Sequence, residues 1–472
     1  MHTLTRMETP YFRRLAYSFA VFCVTLPLVA QGAPRAVVDH IAALIETNYF
    51  EVGRAGDIAR SLRESASAGQ FDRLHDPRDL AATLTSRLQP LDPHFLVTWS
   101  PPGPAPATDR TAQNSGPAMS FEALARRNAY GFHRVEMLPG AIGYLDMTTF
   151  ADFSFSTPNE PARRAADAAL ALVSTADAII IDLRNNGGGS PNMVGYLVSA
   201  FTPSGADIYN TFKHRDSVES ERPKESYPAP LLDVPLFVLI SGRTASAAES
   251  TAYTLQAAKR AVVVGESSEG AANPGGEFPA GDGFFVFVST STTVNPITGT
   301  NWESTGVKPD VLTDPHKALE RAEVLALESV LAHSPNADGT TERRWVLEAL
   351  RARESPPAGA PLKDYEGPYV GAQISTENGH LALHRGKRPS WILARIRGDV
   401  FCVLEEPYRR VIFERNAARQ VTRLQLVRAG GPSSWSAAAA MRAAAAMRFT
   451  CSGVVPQHPP TMRTPSLNIR RA

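Results

Sequence analysis

The sequence predicts an α/β protein, with a helical segment before the core and a small all-β module after it. Three observations predict this. Apolar, β-branched runs recur as ADAIIIDLR (176–184), PLFVLIS (235–241) and AVVVGES (261–267), and helix-like runs lie between them. Strands alternating with helices indicate a largely buried sheet covered by helices. Before Leu91 apolar residues recur at spacings of three and four, and after Asp364 they alternate in short runs. The first spacing is the helix period and the second the strand period.

Taken in order, Arg13 and Arg14 precede the apolar run LAYSFAVFCVTLPLVA (15–30), and QGA follows. A basic start, an apolar centre and small residues at the exit describe a secretory signal. The run has 16 residues and contains Pro27, which is short for a membrane span of ~20. Residues 1–32 are therefore expected to be a signal peptide. The mature chain is expected to be exported, periplasmic or extracellular, with no integral span. VVDHIAALIETNYF places Val38, Ile41, Leu44 and Ile45 on one face, and DPRDLAATLTSRLQPL (76–91) opens with acids and a proline, which starts a helix well. Residues 33–100 are expected to form a helical domain or bundle. Residues 101–118, PPGPAPATDRTAQNSGPA, read as a linker.

The core is expected over 119–318, with strands at 141–147, 176–184, 235–240 and 261–267. Helices are expected at 160–174, 193–201 and 248–259, and one or two paired strands at 283–294. A helical connector (319–360) leads to the β module (361–430), whose short strands are separated by ENG, RGD and ERN. The Ala-rich tail (431–472) is expected to lie outside any packed core.

At 472 residues the chain is long enough for two or three domains. A net charge of +1 gives no basic field for nucleic acid. The cysteines, Cys23, Cys402 and Cys451, show no zinc spacing. Cys402 and Cys451 are either two thiols or one late disulfide.

The chemistry concentrates in SGRTASAAES (241–250), between a buried strand and a helix. A serine there sits at the mouth of an α/β sheet, beside the free N–H groups of a helix N-terminus. Those groups would stabilise an oxyanion next to a nucleophile. The competing reading is an ordinary helix cap. The loop NNGGGS (185–190) follows another buried strand and offers open backbone N–H groups, either as an anion nest or as a plain turn. There is no Walker phosphate loop and no GxSxG elbow.

DLRNNGGG (182–189), TASAAE (244–249), VVVGE (262–266) and the text from Gly265 to Val311 occur in an order that resembles peptidase family S41. That family includes the tail-specific, C-terminal processing proteases. The closest likeness is to its branch with the tricorn core and the interphotoreceptor retinoid-binding protein repeats. The resemblance implies a crotonase/ClpP-like core and a serine endopeptidase, a hydrolase with Ser246 as nucleophile. It implies an oxyanion hole from the N–H of Ala247 and that of Gly188 or Gly189. The processing branch carries its lysine base 25 residues after the serine; here that position is Ala271. Lys259, 13 residues along the same helix, would be ~20 Å away. The tricorn-like branch uses histidine and glutamate instead, which implies His94 of LDPHFLV as general base and Glu303 of NWESTGVKPD as supporting carboxylate.

In the tricorn core a serine beside the histidine links it to the glutamate. Pro93 stands at that place here, so how Glu303 reaches His94, directly or by water, is left open. Asp182 and Arg184 are expected to pair at the strand end. Asn273 and Pro274 are expected to shape the loop beside the site, and Ser250 to face the surface as a weak alternative nucleophile. The 46 residues between His94 and Ala141 leave no room for a PDZ domain. The expected partner is a peptide or protein substrate, with no nucleic acid, metal or organic cofactor, and the oligomeric state is open. The rival reading is a non-catalytic carrier of hydrophobic ligands, or a scaffold, on the same fold.

Overall fold

The computed structural model describes residues 34–101, 121–430 and 440–441. The expected signal peptide, the linker beyond Pro101, Cys23, Cys451 and the tail other than these last two residues lie outside them. The described residues fall into two compact units. One runs up to Met137 and from 143 to 322, and the other holds 138–142 and the residues from Glu323 onward.

The first unit opens with α1 (Pro34–Asn48), α2 (Val52–Ser67) and α3 (Pro77–Leu88). Asp76 caps α3 by accepting the Arg78 N–H at 2.8 Å, with Pro77 at the first helical position. Then come β1 (Leu96–Trp99), α4 (Phe121–Arg127), β2 (Phe132–Leu138), β3 (Ile142–Met147), α5 (Pro161–Val173), β4 (Ala178–Asp182) and α6 (Pro191–Ser199). β5 (Thr211–Lys213), β6 (Val218–Ser220), β7 (Leu236–Ile240), α7 (Ala247–Ala257) and β8 (Ala261–Gly265) follow. β9 (Gly275–Gly281), β10 (Phe284–Ser289), β11 (Thr292–Val294) and β12 (Val311–Leu312) complete the series, and α8 (Ala318–His333) begins here, its residues from Glu323 onward belonging to the second unit.

The main sheet has the order β12-β8-β7-β4-β3-β2. β4, β7, β8 and β12 run parallel, and every residue of β4 and β7 is buried. Such a two-sided burial explains the continuous apolar runs in the sequence. It also sets the ends of β4 and β7 side by side, so the glycine loop and the serine turn emerge together. Asp182 locks the end of β4: Arg184 pairs with it at 2.5 Å and the Tyr144 hydroxyl donates to it at 2.7 Å.

β1 joins β10 and β9 in a separate antiparallel sheet. The buried faces of α1–α3, including Ile41, Leu62 and Leu84, share one core with Phe284, Val286 and Val288 of β10. The helical segment is thus anchored to the same hairpin that pairs with β1.

In the second unit α9 (Thr340–Glu354) precedes eight strands that pair in chain order. They are β13 (Gly367–Tyr369), β14 (Ala372–Glu377), β15 (His380–His384), β16 (Trp391–Arg397), β17 (Val400–Val403), β18 (Arg409–Arg415), β19 (Val421–Arg428) and β20 (Ala440–Met441). The period-two alternation is borne out as an antiparallel sheet. β20 adds an edge strand inside the stretch expected to be tail. Cys402 is buried with Ala349 and Ile396. Among the described residues no helix is long and apolar enough to cross a membrane.

Candidate active site

After β7 the chain turns through 241–245, and three hydrogen bonds tie that turn to the end of β4. Ser241 Oγ donates to Arg184 O (2.6 Å), Thr244 Oγ1 to Leu183 O (2.8 Å), and the Ala245 N–H to Asn186 O (3.0 Å). Ser246 follows, exposed between buried neighbours on both sides. Its backbone sits at φ 52°, ψ −119°, outside the favourable regions for a residue with a Cβ. Such strain persists only where the surroundings over-determine it, and it clusters at functional sites. Ser246 is also the N-cap of α7, in a capping box with Glu249 whose Oε2 accepts the Ser246 N–H at 2.8 Å.

Gly188 lies directly against this serine. A Cβ there would stand 2.8 Å from Ser246 Cβ and 3.1 Å from Ala247 N, at φ +108°. Gly188→Ala is therefore expected to displace Ser246 and reduce hydrolysis by at least ~10²-fold, since misplacement by about 1 Å costs that much. Full activity with an unchanged unfolding temperature would show that the contact is not needed. The Gly188 N–H is given to Asn186 Oδ1 (2.9 Å). Among the described residues the N–H groups of Ala247 and Gly189 make no hydrogen bond.

His94 is placed from the other side. β1 pairs with β10 in the register Leu96↔Phe287. Phe95 is fully buried, its ring stacked 5.4 Å from Tyr49. With Phe95 pinned inward, His94 emerges at the sheet edge, its ring 6.4 Å from that of Phe287. Its Nδ1 lies 3.0 Å from Asp92 Oδ1 and 3.4 Å from Glu303 Oε1. Glu303 follows Trp302, a buried anchor against Tyr253. Glu303 Oε2 accepts the N–H groups of Ala272 (2.9 Å) and Asn273 (3.0 Å). Its Oε1 is buried and has no hydrogen-bond partner. Glu303 Oε1 thus faces the His94 ring across 3.4 Å, with no hydrogen bond between them.

The structure therefore brings His94 and Glu303 together, and sets Ser246 beside Ala247 and Gly188. Among the described residues no hydrogen bond joins Ser246 to His94. The loop 268–273 links the two halves: Glu249 holds Ser268, Gly270 and Ala271, and Glu303 holds the next two residues. Ala271, where the processing branch has lysine, gives its N–H to Glu249 at 2.9 Å. Ser250 departs from expectation. It is buried, donates to Glu221 Oε2 (2.5 Å) and accepts from Asn210 (2.7 Å), so no substrate reaches it.

The electrostatics follow from this packing. Burial alone would lower the pKa of His94, but the hydrogen bond to Asp92 and the charges of Glu303, Asp92 and Glu249 outweigh it and raise it. Burial pushes Glu303 up, against the charge of His94 and the Ala272 N–H. Asp92 is held low, because its bonds from His94 overcome burial. Donor atoms of Asp92, His94 and Glu303 lie within 4.8 Å of one another, the donor chemistry of a cation site as well as of a proton relay. Backbone N–H groups hold Asp92 Oδ1 and Glu303 Oε2, whereas Asp92 Oδ2 and Glu303 Oε1 are buried without a hydrogen-bond partner.

Two contributors were not anticipated, Asp92 and Glu249. The first stands two residues before His94; the second completes the pattern S-x-x-E of a capping box, visible as SAAE.

Residues 141–313 match the profile of Peptidase family S41, and residues 29–130 match that of the N-terminal domain of Peptidase_S41 in eukaryotic IRBP. The chain belongs to peptidase family S41. This S41 chain is 26% identical over 276 residues to the chloroplastic C-terminal processing peptidase of Tetradesmus obliquus, covering 56% of this chain and 53% of that protein. It is 28% identical over 189 residues to the carboxy-terminal-processing protease of Bartonella bacilliformis, covering 39% and 40%. The S41 chain thus spans about half or less of these relatives' length. Among solved structures, the photosystem II D1 C-terminal processing protease is similar at 18% identity and a TM-score of 0.39, covering 65% of this chain and 98% of that one.

Proposed function

We propose that this S41 chain is an exported serine peptidase acting on peptide or protein substrates, with Ser246 as nucleophile, His94 as general base and Glu303 as supporting carboxylate. The carrying observation is the 3.4 Å approach of Glu303 Oε1 to His94 Nδ1, in a chain whose lysine position holds Ala271. The reaction begins as the Ser246 hydroxyl proton passes to His94 Nε2 and Oγ bonds to the substrate carbonyl carbon. The oxyanion is received by the Ala247 N–H and one from the glycine loop. With the Gly188 N–H taken by Asn186, Gly189 is the freer donor of the two. His94 returns the proton to the leaving amine. Water, deprotonated by His94, then attacks the ester, frees the new carboxyl group and restores Ser246. Apo geometry often leaves the base and nucleophile looser than in the substrate complex, consistent with the unmade Ser246–His94 bond. Export rests on the reading of residues 1–32.

A fluorophosphonate probe tests this. The adduct is expected on Ser246, and its rate of formation is expected to rise with pH. The raised pKa of His94 keeps the ring protonated, and so unable to accept, at higher pH than an ordinary histidine of ~6.5. The acid limb should therefore lie above that value. A carrier or scaffold gives no adduct, and an adduct on another residue rejects Ser246.

A further inference from the structure

We infer that Asp92, not Glu303, sets the tautomer of His94. Asp92 is a positioning residue that accepts the Nδ1–H and leaves Nε2 bare as the base, while Glu303 acts on the ring through its charge. This rests on the reading of His94 as general base.

Nδ1 of a neutral imidazole carries at most one proton, and that proton makes one good bond. Asp92 Oδ1, at 3.0 Å, is within N–H···O range; Glu303 Oε1, at 3.4 Å, is beyond it. Asp92 is also tied to the chain it orients, because its Oδ1 accepts the His94 backbone N–H at 2.9 Å. The carboxylate, the backbone and the ring of His94 thus close one small cycle. Pro93 sits inside that cycle; its fixed φ stiffens it and its missing N–H removes a competing donor. Asp92 is 4% exposed, so little water competes for the ring proton. Glu303 is tied elsewhere, because both of its accepted bonds come from the loop at Ala272 and Asn273. The charged groups that act on the ring are Asp92, Glu303 and Glu249. Orientation matters because a ring protonated on Nε2 cannot take the Ser246 proton.

Nitrogen NMR of histidine-labelled Ser246→Ala protein reads the tautomer without needing turnover. The Nδ1–H form is expected to dominate above the titration of His94. Adding Asp92→Ala should move the population toward Nε2–H. Adding Glu303→Gln should leave Nδ1–H dominant and lower the titration midpoint. With Ser246 intact, Asp92→Ala should lower kcat by roughly 10–10²-fold, within the range of general-base effects, with KM within about twofold. If Asp92→Ala does not fold, Asp92→Asn serves: it keeps a carbonyl acceptor and loses the charge, so the tautomer stays and the midpoint falls. The inference is overturned if Asp92→Ala leaves the tautomer unchanged, if Glu303→Gln is the change that flips it, or if Asp92→Asn leaves the midpoint where it was. Failure of the peptidase reading would instead show as the expected tautomers in a protein whose Ser246 takes no fluorophosphonate.

Discussion

Replacing Ser246 with alanine is expected to cut peptide hydrolysis by at least ~10³-fold, the scale lost when a catalytic serine is removed. The unfolding temperature should fall only slightly. Alanine keeps the Cβ, so the backbone at φ 52° bears the same strain in both proteins. What leaves is one hydroxyl. As the cap of α7 that hydroxyl is worth about 1 kcal/mol, or about 2–4 °C in a unit of this size. The two readings of SGRTASAAES therefore separate cleanly. A mere cap predicts lost stability with full activity; a nucleophile predicts lost activity at nearly full stability. Initial rates on casein and short peptides, beside thermal unfolding of the same samples, decide between them. Wild-type rates in the variant would reject the nucleophile.

The strand and helix pattern of the core was legible because β4 and β7 are buried on both faces, and such strands leave uninterrupted apolar runs such as AIIID and LFVLI. Edges were less legible. β9 (GGEFPAG) carries three glycines and a proline, and only its pairing with β10 makes it a strand. The catalytic candidates were legible as motifs, not as distances. Nothing local says that His94 meets Glu303, because that contact needs β1 to pair with β10 and Trp302 to be buried. Asp92 was hidden for a different reason: its contact with His94 is local, and a carboxylate two residues before a histidine is common in turns. Ser250 misled because its hydroxyl looks available in the sequence. Its burial depends on Glu221 and Asn210, which arrive from a distant part of the chain.

Glu249 carries the second large effect, and it runs against the rule that glutamates stay at the surface. Its side chain is fully buried, yet four donors converge on it: the N–H groups of Ser246 (2.8 Å), Gly270 (2.7 Å) and Ala271 (2.9 Å), and the Ser268 hydroxyl (2.6 Å). A buried carboxylate is tolerated only when its oxygens are filled in this way. Glu249→Gln keeps the shape but turns an amide NH₂ toward N–H donors that need an acceptor, and Glu249→Ala leaves all four unmet. Orphaned buried donors cost about 1–3 kcal/mol each, so a loss of roughly 3 kcal/mol or more is expected for alanine, about 6–12 °C in unfolding temperature. The glutamine variant should lose less stability. Its activity should still fall sharply, because the same carboxylate fixes the backbone of Ser246 and the loop that carries Ala272 and Asn273 to Glu303. Hydrogen exchange at Gly270 and Ala271 reports the loop, and hydrolysis rates report the serine. If Glu249→Gln speeds exchange there while hydrolysis stays at wild-type level, the loop does not position the site, and Ser246 is held by the β4–β7 contacts alone.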